Sequence, residues 1–309
     1  MSNILKSLTY SSKTRFVTIL DEMNKIILYY NFTPVEDPEA IRLWQKNLCE
    51  RLDLKGRIIV AEQGINGTLG GNIDDVKAYI KEMKTYPQFK NTQYKWSEGT
   101  GKDFPRLSVK VRPELITLKA DEEFDVFNSS DGFSPEQWHE YIEQNPDVII
   151  LDARNDYESD IGAFKGKNVI KPQIGAFKEI KDELDKLPKD QPILTYCTGD
   201  VRCEYLSAYM THKGFDEVHH LKGGIVKYGQ QYGDDGFWEG KCFTFDNRLK
   251  LEFSDDSADI GDCIHCEAKT SNHINCQNIE CNRLVLVCED CADNMSVCSE
   301  GCLALATTG

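Results

Sequence analysis

The sequence predicts an α/β chain of several domains, with a mixed α+β domain first, a parallel α/β domain second and a small cysteine-rich module last. Three observations predict it. Strand-like and helix-like periodicities run β-α-β-β-α-β over residues 24–119 and alternate regularly from residue 133 onward. Charge divides near the same place: residues 1–120 carry a net +5, leaving −20 for residues 121–309 in a chain of 309 residues and net charge −15. Finally, eight of the twelve cysteines fall within residues 263–302.

Residues 1–23 are polar and weakly periodic, an irregular lead-in. Residues 26–32 read as a strand, and 38–54 as a helix opened by Pro38, with Ile41, Leu43, Trp44, Leu48 and Leu52 at helical spacing. A strand over 56–62, a tight turn at Asn66-Gly67 and a short strand ending at Gly70-Gly71 come next. A helix over 73–83 and a strand over 107–118 complete a ferredoxin-like order, one sheet with helices on one face. Along the last strand Leu107, Val109 and Val111 point one way, and Arg106, Ser108, Lys110 and Arg112 the other. The basic set is expected on the open face, with Tyr29 and Asn31 beside it, as a platform for RNA. A solvated face carrying scattered cations is the plainer alternative.

Residues 120–132 are acidic and unpatterned, a linker. Over 133–250, strands at 148–152, 193–196 and 218–221 alternate with helices after Ser134, over 177–187 and after the Cys197 loop. Ligands in such folds bind at the carboxyl ends of the strands, where Cys197 falls. The loop Cys197-Thr198-Gly199-Asp200-Val201-Arg202 joins a buried strand to a helix N-terminus. Converging amides there favour an anion and lower a thiol pKa, so a solvent-reachable nucleophilic cysteine or an anion site is expected. An inert buried thiol is the alternative. Arg202 sits in the first helical turn, unfavourable for a cation without an acidic partner.

Residues 251–262 form a second acidic linker before the tail, 263–309. Its cysteines fall in four pairs, Cys263 with Cys266, Cys276 with Cys281, Cys288 with Cys291 and Cys298 with Cys302. Eight thiolates suffice for two closed, structural zinc sites, although the spacing leaves the grouping open and allows His265 and His273 as substitutes. No apolar run approaches a membrane span and no basic-then-apolar leader begins the chain, so a cytoplasmic protein with metal-binding or catalytic thiols is expected rather than a disulfide framework.

Asp152-Ala-Arg154-x3-Glu158, the Cys197 loop and Leu221-x-Gly223-Gly224 resemble the rhodanese domain. Together with Glu62-Gln-Gly-Ile-Asn-Gly-Thr68 and Phe104-Pro-Arg-Leu-Ser-Val-Lys-Val-Arg112, they resemble the rhodanese-like tRNA uridine hydroxylases, over about residues 24–302. That resemblance implies oxygen-dependent 5-hydroxylation of the wobble uridine, with the tRNA anticodon region as partner. It makes Cys197 the active cysteine, Arg202 the loop-closing cation, Cys203 a second cysteine of open role, and Asp152 and Arg154 supports of the loop. One departure stands out. The family loop usually carries a second glycine where this chain has Asp200, and a carboxylate there is expected to raise the Cys197 pKa or to turn outward to solvent. Two other readings remain: a sulfurtransferase carrying a persulfide on Cys197, and a non-catalytic RNA-binding protein.

Overall fold

The computed structural model describes residues 24–293, 297–299 and 301–303, so the lead-in expected over 1–23 lies outside the described residues. Its contacts divide the chain into two units after Leu115.

In the first unit β1 (Asn24–Phe32) leads to α1 (Pro38–Arg51), where Asp37 caps the Ala40 amide and Pro38 occupies the first turn. Then come β2 (Lys55–Ala61), β3 (Gly64–Asn72), α2 (Ile73–Thr85), capped by Asn72, β4 (Gln93–Glu98) and β5 (Leu107–Val111). The sheet order is β4-β1-β3-β2-β5, with only β5 parallel to its neighbour. Ile41 and Leu48 of α1 and Val76, Tyr79 and Met83 of α2 close over Ile27, Tyr29, Ile58, Val60, Ile65 and Leu69 in one core.

Four expectations for this unit are corrected. The strand expected to complete the ferredoxin-like order, Leu107–Val111, is an added edge beside β2, and the fourth strand is β4 beside β1, whose Tyr94 and Trp96 pack on the core. β5 stops at Val111 because Pro113 cannot donate to a ladder. Asn66 and Gly67 are no turn: they lie inside β3, opposite Tyr30 and Tyr29 of β1. Gly67 is needed for close approach, since a Cβ there would fall 2.4 Å from the Tyr29 hydroxyl. Tyr29 and Asn31 lie on the helix side. Tyr29 is fully buried and hydrogen-bonded to Tyr79, and Asn31 donates to the Gln88 carbonyl at 3.0 Å.

The second unit starts before its first helix. The stretch expected as a linker is packed down, with Phe124 edge-on to Tyr205 and Tyr209, Asp121 paired with Lys181 and Glu122 with Lys213. α3 (Pro135–Gln144) begins with a capping box between Ser134 and Gln137. After β6 (Ile149–Asp152) come α4 (Asp156–Ser159), β7 (Gly162–Phe164) and β8 (Asn168–Ile170). The helix expected over 177–187 is a 3-10 turn leading into the short α5 (Ile180–Leu184). β9 (Ile193–Tyr196), α6 (Val201–His212), β10 (Val218–His220) and α7 (Gly224–Tyr232) follow, and the strands form a parallel sheet ordered β10-β9-β6-β8.

Beyond it run β11 (Trp238–Gly240), β12 (Cys242–Phe243), β13 (Lys250–Leu251), the hairpin β14 (His273–Asn275) and β15 (Leu284–Leu286), and α8 (Glu289–Ala292). The acidic stretch 251–262 is also anchored. Glu252 and Asp259 both pair with Lys241, and Ser254 and Ser257 bond to Asp234. No helix among the described residues is long and apolar enough to cross a membrane.

Candidate active site and metal clusters

β9 ends at Tyr196, so Cys197 opens its loop at the carboxyl edge of the parallel sheet. A second loop locks the first, with the Ile225 amide donating to the Cys197 carbonyl at 3.0 Å and Val226 to that of Thr198 at 3.2 Å. Only glycine fits at 224. Its φ is +67°, and a Cβ would come within 2.6 Å of both carbonyl oxygens. Thr198, Gly199 and Asp200 lead into α6, whose first residues are Val201 and Arg202, and the Asp200 amide donates to Cys197 Sγ at 3.2 Å.

Cys197 is 1% exposed, which corrects the expectation of a solvent-reachable thiol. Its surroundings are nonetheless ionic. Burial alone would raise its pKa, but hydrogen bonding with Cys203 and the charge of Arg202 outweigh burial and hold it below the ordinary thiol range. Cys203 keeps the proton, pushed well up by burial and by Cys197, and also accepts from the Thr195 hydroxyl at 3.6 Å.

Arg202 has the partner its position demands. It forks onto Glu158, Nη1 to Oε1 at 2.6 Å and Nη2 to Oε2 at 2.7 Å, and lies 5.8 Å from the ring centre of the exposed Phe245. Burial pushes the Glu158 carboxyl up, but the guanidinium charge and its hydrogen bonds bring it below the ordinary value. Asp152 and Arg154 form a second buried fork, Nε to Oδ1 at 2.8 Å and Nη2 to Oδ2 at 2.5 Å. Arg154 also donates to the carbonyls of Glu158 and Gly162, and the Tyr196 hydroxyl to Asp152 at 2.7 Å. Arg154 thus fixes α4, and α4 presents Glu158 to Arg202.

Asp200 does not face solvent, which corrects one expectation for it. Its carboxylate is buried, 2.6 Å from His220 Nδ1 and accepting from the Gly223 amide at 3.0 Å. Its charge raises the Cys197 pKa, as expected, but hydrogen bonding with Cys203 and the charge of Arg202 outweigh it, so the net shift at Cys197 is downward. Glu158 and His220 were missed as site residues. Glu158 had a signal in the Asp152-x-Arg154-x3-Glu158 spacing, whereas His220 had none, since it reaches the loop from the neighbouring strand β10.

In the tail the sulfurs form two interleaved groups, Cys263, Cys266, Cys288 and Cys291 in one and Cys276, Cys281, Cys298 and Cys302 in the other, each with all four sulfurs within 4.8 Å of one another. Sγ–Sγ distances of 3.6 Å for Cys266–Cys288, 3.6 Å for Cys281–Cys298 and 3.5 Å for Cys298–Cys302 suit a tetrahedral site, whose edge is about 3.8 Å for zinc–sulfur bonds of about 2.3 Å. The donor set therefore fits a metal. Neither group includes a histidine. His273 is buried, with Nε2 2.9 Å from the Tyr157 carbonyl, which corrects its place as a substitute ligand.

On the open face of the first unit, strand register brings together Lys95 of β4, Leu28, Tyr30 and Phe32 of β1, Asn66 and Thr68 of β3, Arg57 of β2 and Lys110 of β5. None of these is acidic. Lys95 Nζ lies 4.7 Å over the Tyr30 ring, Tyr30 and Phe32 meet edge to face, and Arg106, Lys110 and Arg112 are exposed.

Family models match along nearly the whole described chain: a UPF0176 acylphosphatase like domain over residues 24–115, a Rhodanese-like domain over 134–231 and a Rhodanase C-terminal region over 239–303. The fold and the loop thus define a rhodanese-domain protein with an acylphosphatase-like domain ahead of it. Among solved structures, a rhodanese-like domain protein from Staphylococcus aureus is 20% identical and matches 32% of this chain and 91% of its own, at a TM-score of 0.28. Among curated proteins, a tRNA uridine(34) hydroxylase of Corynebacterium kroppenstedtii is 46% identical over 279 residues, 87% of this chain and 94% of that protein. One of Kocuria rhizophila is 47% identical over 277 residues, 86% and 93%, and one of Pseudarthrobacter chlorophenolicus 44% over 297, 91% and 99%. The chain belongs to the tRNA uridine(34) hydroxylase family.

Proposed function

We propose that this protein hydroxylates C5 of the wobble uridine of tRNA in the cytoplasm, with Cys197 as the reacting group and molecular oxygen as co-substrate, one oxygen atom entering the base and the other leaving as water with two electrons from an external reductant. The observation that carries the chemistry is the Asp200 amide aimed at Cys197 Sγ beside the Arg202 guanidinium, an arrangement that favours a thiolate and its anionic adducts over the thiol. Cys203 takes a proton-holding role, Asp152 and Arg154 brace the loop, and Arg202 closes it through Glu158.

The anticodon region of the tRNA is assigned to the open face of the first unit. Arg106, Lys110 and Arg112, with Arg57 and Lys95, take phosphates, while Tyr30 and Phe32 offer faces for unstacked bases. Zinc is assigned to the two sulfur groups, where closed four-thiolate coordination leaves no position for substrate and gives a structural role.

The test is mass spectrometry of tRNA nucleosides from a deletion strain complemented with wild type or with Cys197→Ser. Wobble 5-hydroxyuridine should fall on deletion, return with wild type and stay low with the serine variant. If the serine variant restores it, Cys197 is not the reacting group; if deletion leaves it unchanged, the assignment fails. Turnover of thiosulfate without any change in the nucleoside would identify a sulfurtransferase instead.

A further inference from the structure

Asp200 occupies a backbone conformation that L residues rarely adopt, φ 82° and ψ −36°. From it the amide points at Cys197 Sγ, and the carbonyl begins α6 by accepting from the amides of Cys203 at 2.8 Å and Glu204 at 3.0 Å. The side chain is held by groups outside the loop. His220, last residue of β10, places Nδ1 2.6 Å from Oδ1, and the Gly223 amide donates to Oδ2 at 3.0 Å. Asp200 and His220 are each 3% exposed. Gly132 also lies close to the ring, since a Cβ there would fall 2.5 Å from Cε1 and 2.6 Å from Nε2. A buried carboxylate this near a thiolate works against it unless a cation cancels the charge.

We propose that His220, as imidazolium, is a positioning residue for Cys197: it cancels the Asp200 charge beside the sulfur and, with the Gly223 amide, holds the backbone that aims the Asp200 N–H at it. The charged groups around the ring agree. Burial and Lys222 disfavour the imidazolium, Asp200 and Glu204 favour it, and the balance raises the histidine above its ordinary value of 6.5. The inference concerns the state of the sulfur, so it stands whichever reaction Cys197 performs.

The experiment follows alkylation of Cys197 by iodoacetamide against pH, in the full-length protein, with peptide mass spectrometry separating Cys197 from the other thiols. In H220Q the carboxylate is left uncancelled, so the inflection should move up by a unit or more, slowing alkylation below it about tenfold. In D200N there is no charge to cancel, so D200N and the double variant D200N/H220Q should inflect together. A merely structural histidine predicts the opposite, a shift that H220Q causes equally in both backgrounds, and that result overturns the proposal. So does an unmoved inflection in H220Q. Should H220Q not fold, isotope-edited NMR of His220 decides: it titrates above 6.5 in wild type and at or below it in D200N, and identical titrations in the two proteins sink the proposal.

Discussion

Glu158 ties two statements about single residues together. Its carboxylate is fully buried, and Arg202, which forks onto it, is the cation whose charge helps lower the Cys197 pKa. Removing one partner of a buried pair leaves the other charge uncompensated, so Glu158→Gln should cost on the order of 3 kcal/mol, read by urea unfolding. The pH dependence follows from the lowered carboxyl. Its contribution is fully present above the ordinary value of 4.5 and is lost as pH falls through the lower folded value. Glu158→Gln should therefore flatten the acid limb of stability against pH, and an equally steep limb in the variant would refute the coupling. At this scale the sequence revealed the members of the site that lie within one motif. The opposition of Asp200 to the thiolate was legible, but its burial was not, because its partner is His220, twenty residues away on strand β10. A carboxylate beside a thiolate is unfavourable in isolation, and no local pattern announces the histidine that cancels it.

Among the elements, strong periodicity was legible and weak periodicity was not. The helices of the first unit and the strand that precedes Cys197 stood out because their apolar spacing or β-branched runs are clear. β4 went unseen because Gln93-Tyr-Lys-Trp-Ser-Glu98 is mostly polar, although Tyr94 and Trp96 do alternate. Asn66-Gly67 carried a turn signal, but the glycine is there to admit the Tyr29 ring. Neighbouring residues of a strand face opposite ways, so exchanging Tyr29 for Tyr30 moves an aromatic from the core to the open face. The alternation of Leu107, Val109 and Val111 with Lys110 and the flanking arginines does place the cations outward. Neutralising Lys110 and Arg112 together should weaken tRNA binding across sequences and lower the salt slope by about two. Unchanged affinity and slope would remove this face from the tRNA interface.

For the molecule as a whole, the tail shows how far thiol counting goes. Eight cysteines in spaced pairs announced two four-thiolate sites, while their interleaved grouping emerged only with the fold. The small core of this region, Cys263, Val285 and Val287, argues that a metal supplies much of its stability. Metal analysis should find about two zinc ions per chain. Chelation should raise hydrogen exchange over 263–303 and leave residues 24–115 as protected as before, and unchanged exchange in the chelated tail would reject a structural metal role. The sequence by itself determined the order of modules, the place of Cys197 after a strand and the capacity for metal, because these depend on spacing along the chain. Tertiary structure alone decided which aromatic faces outward, which cysteines group together and how an aspartate is tolerated beside a thiolate. Those depend on register and on contacts between segments that no local pattern encodes.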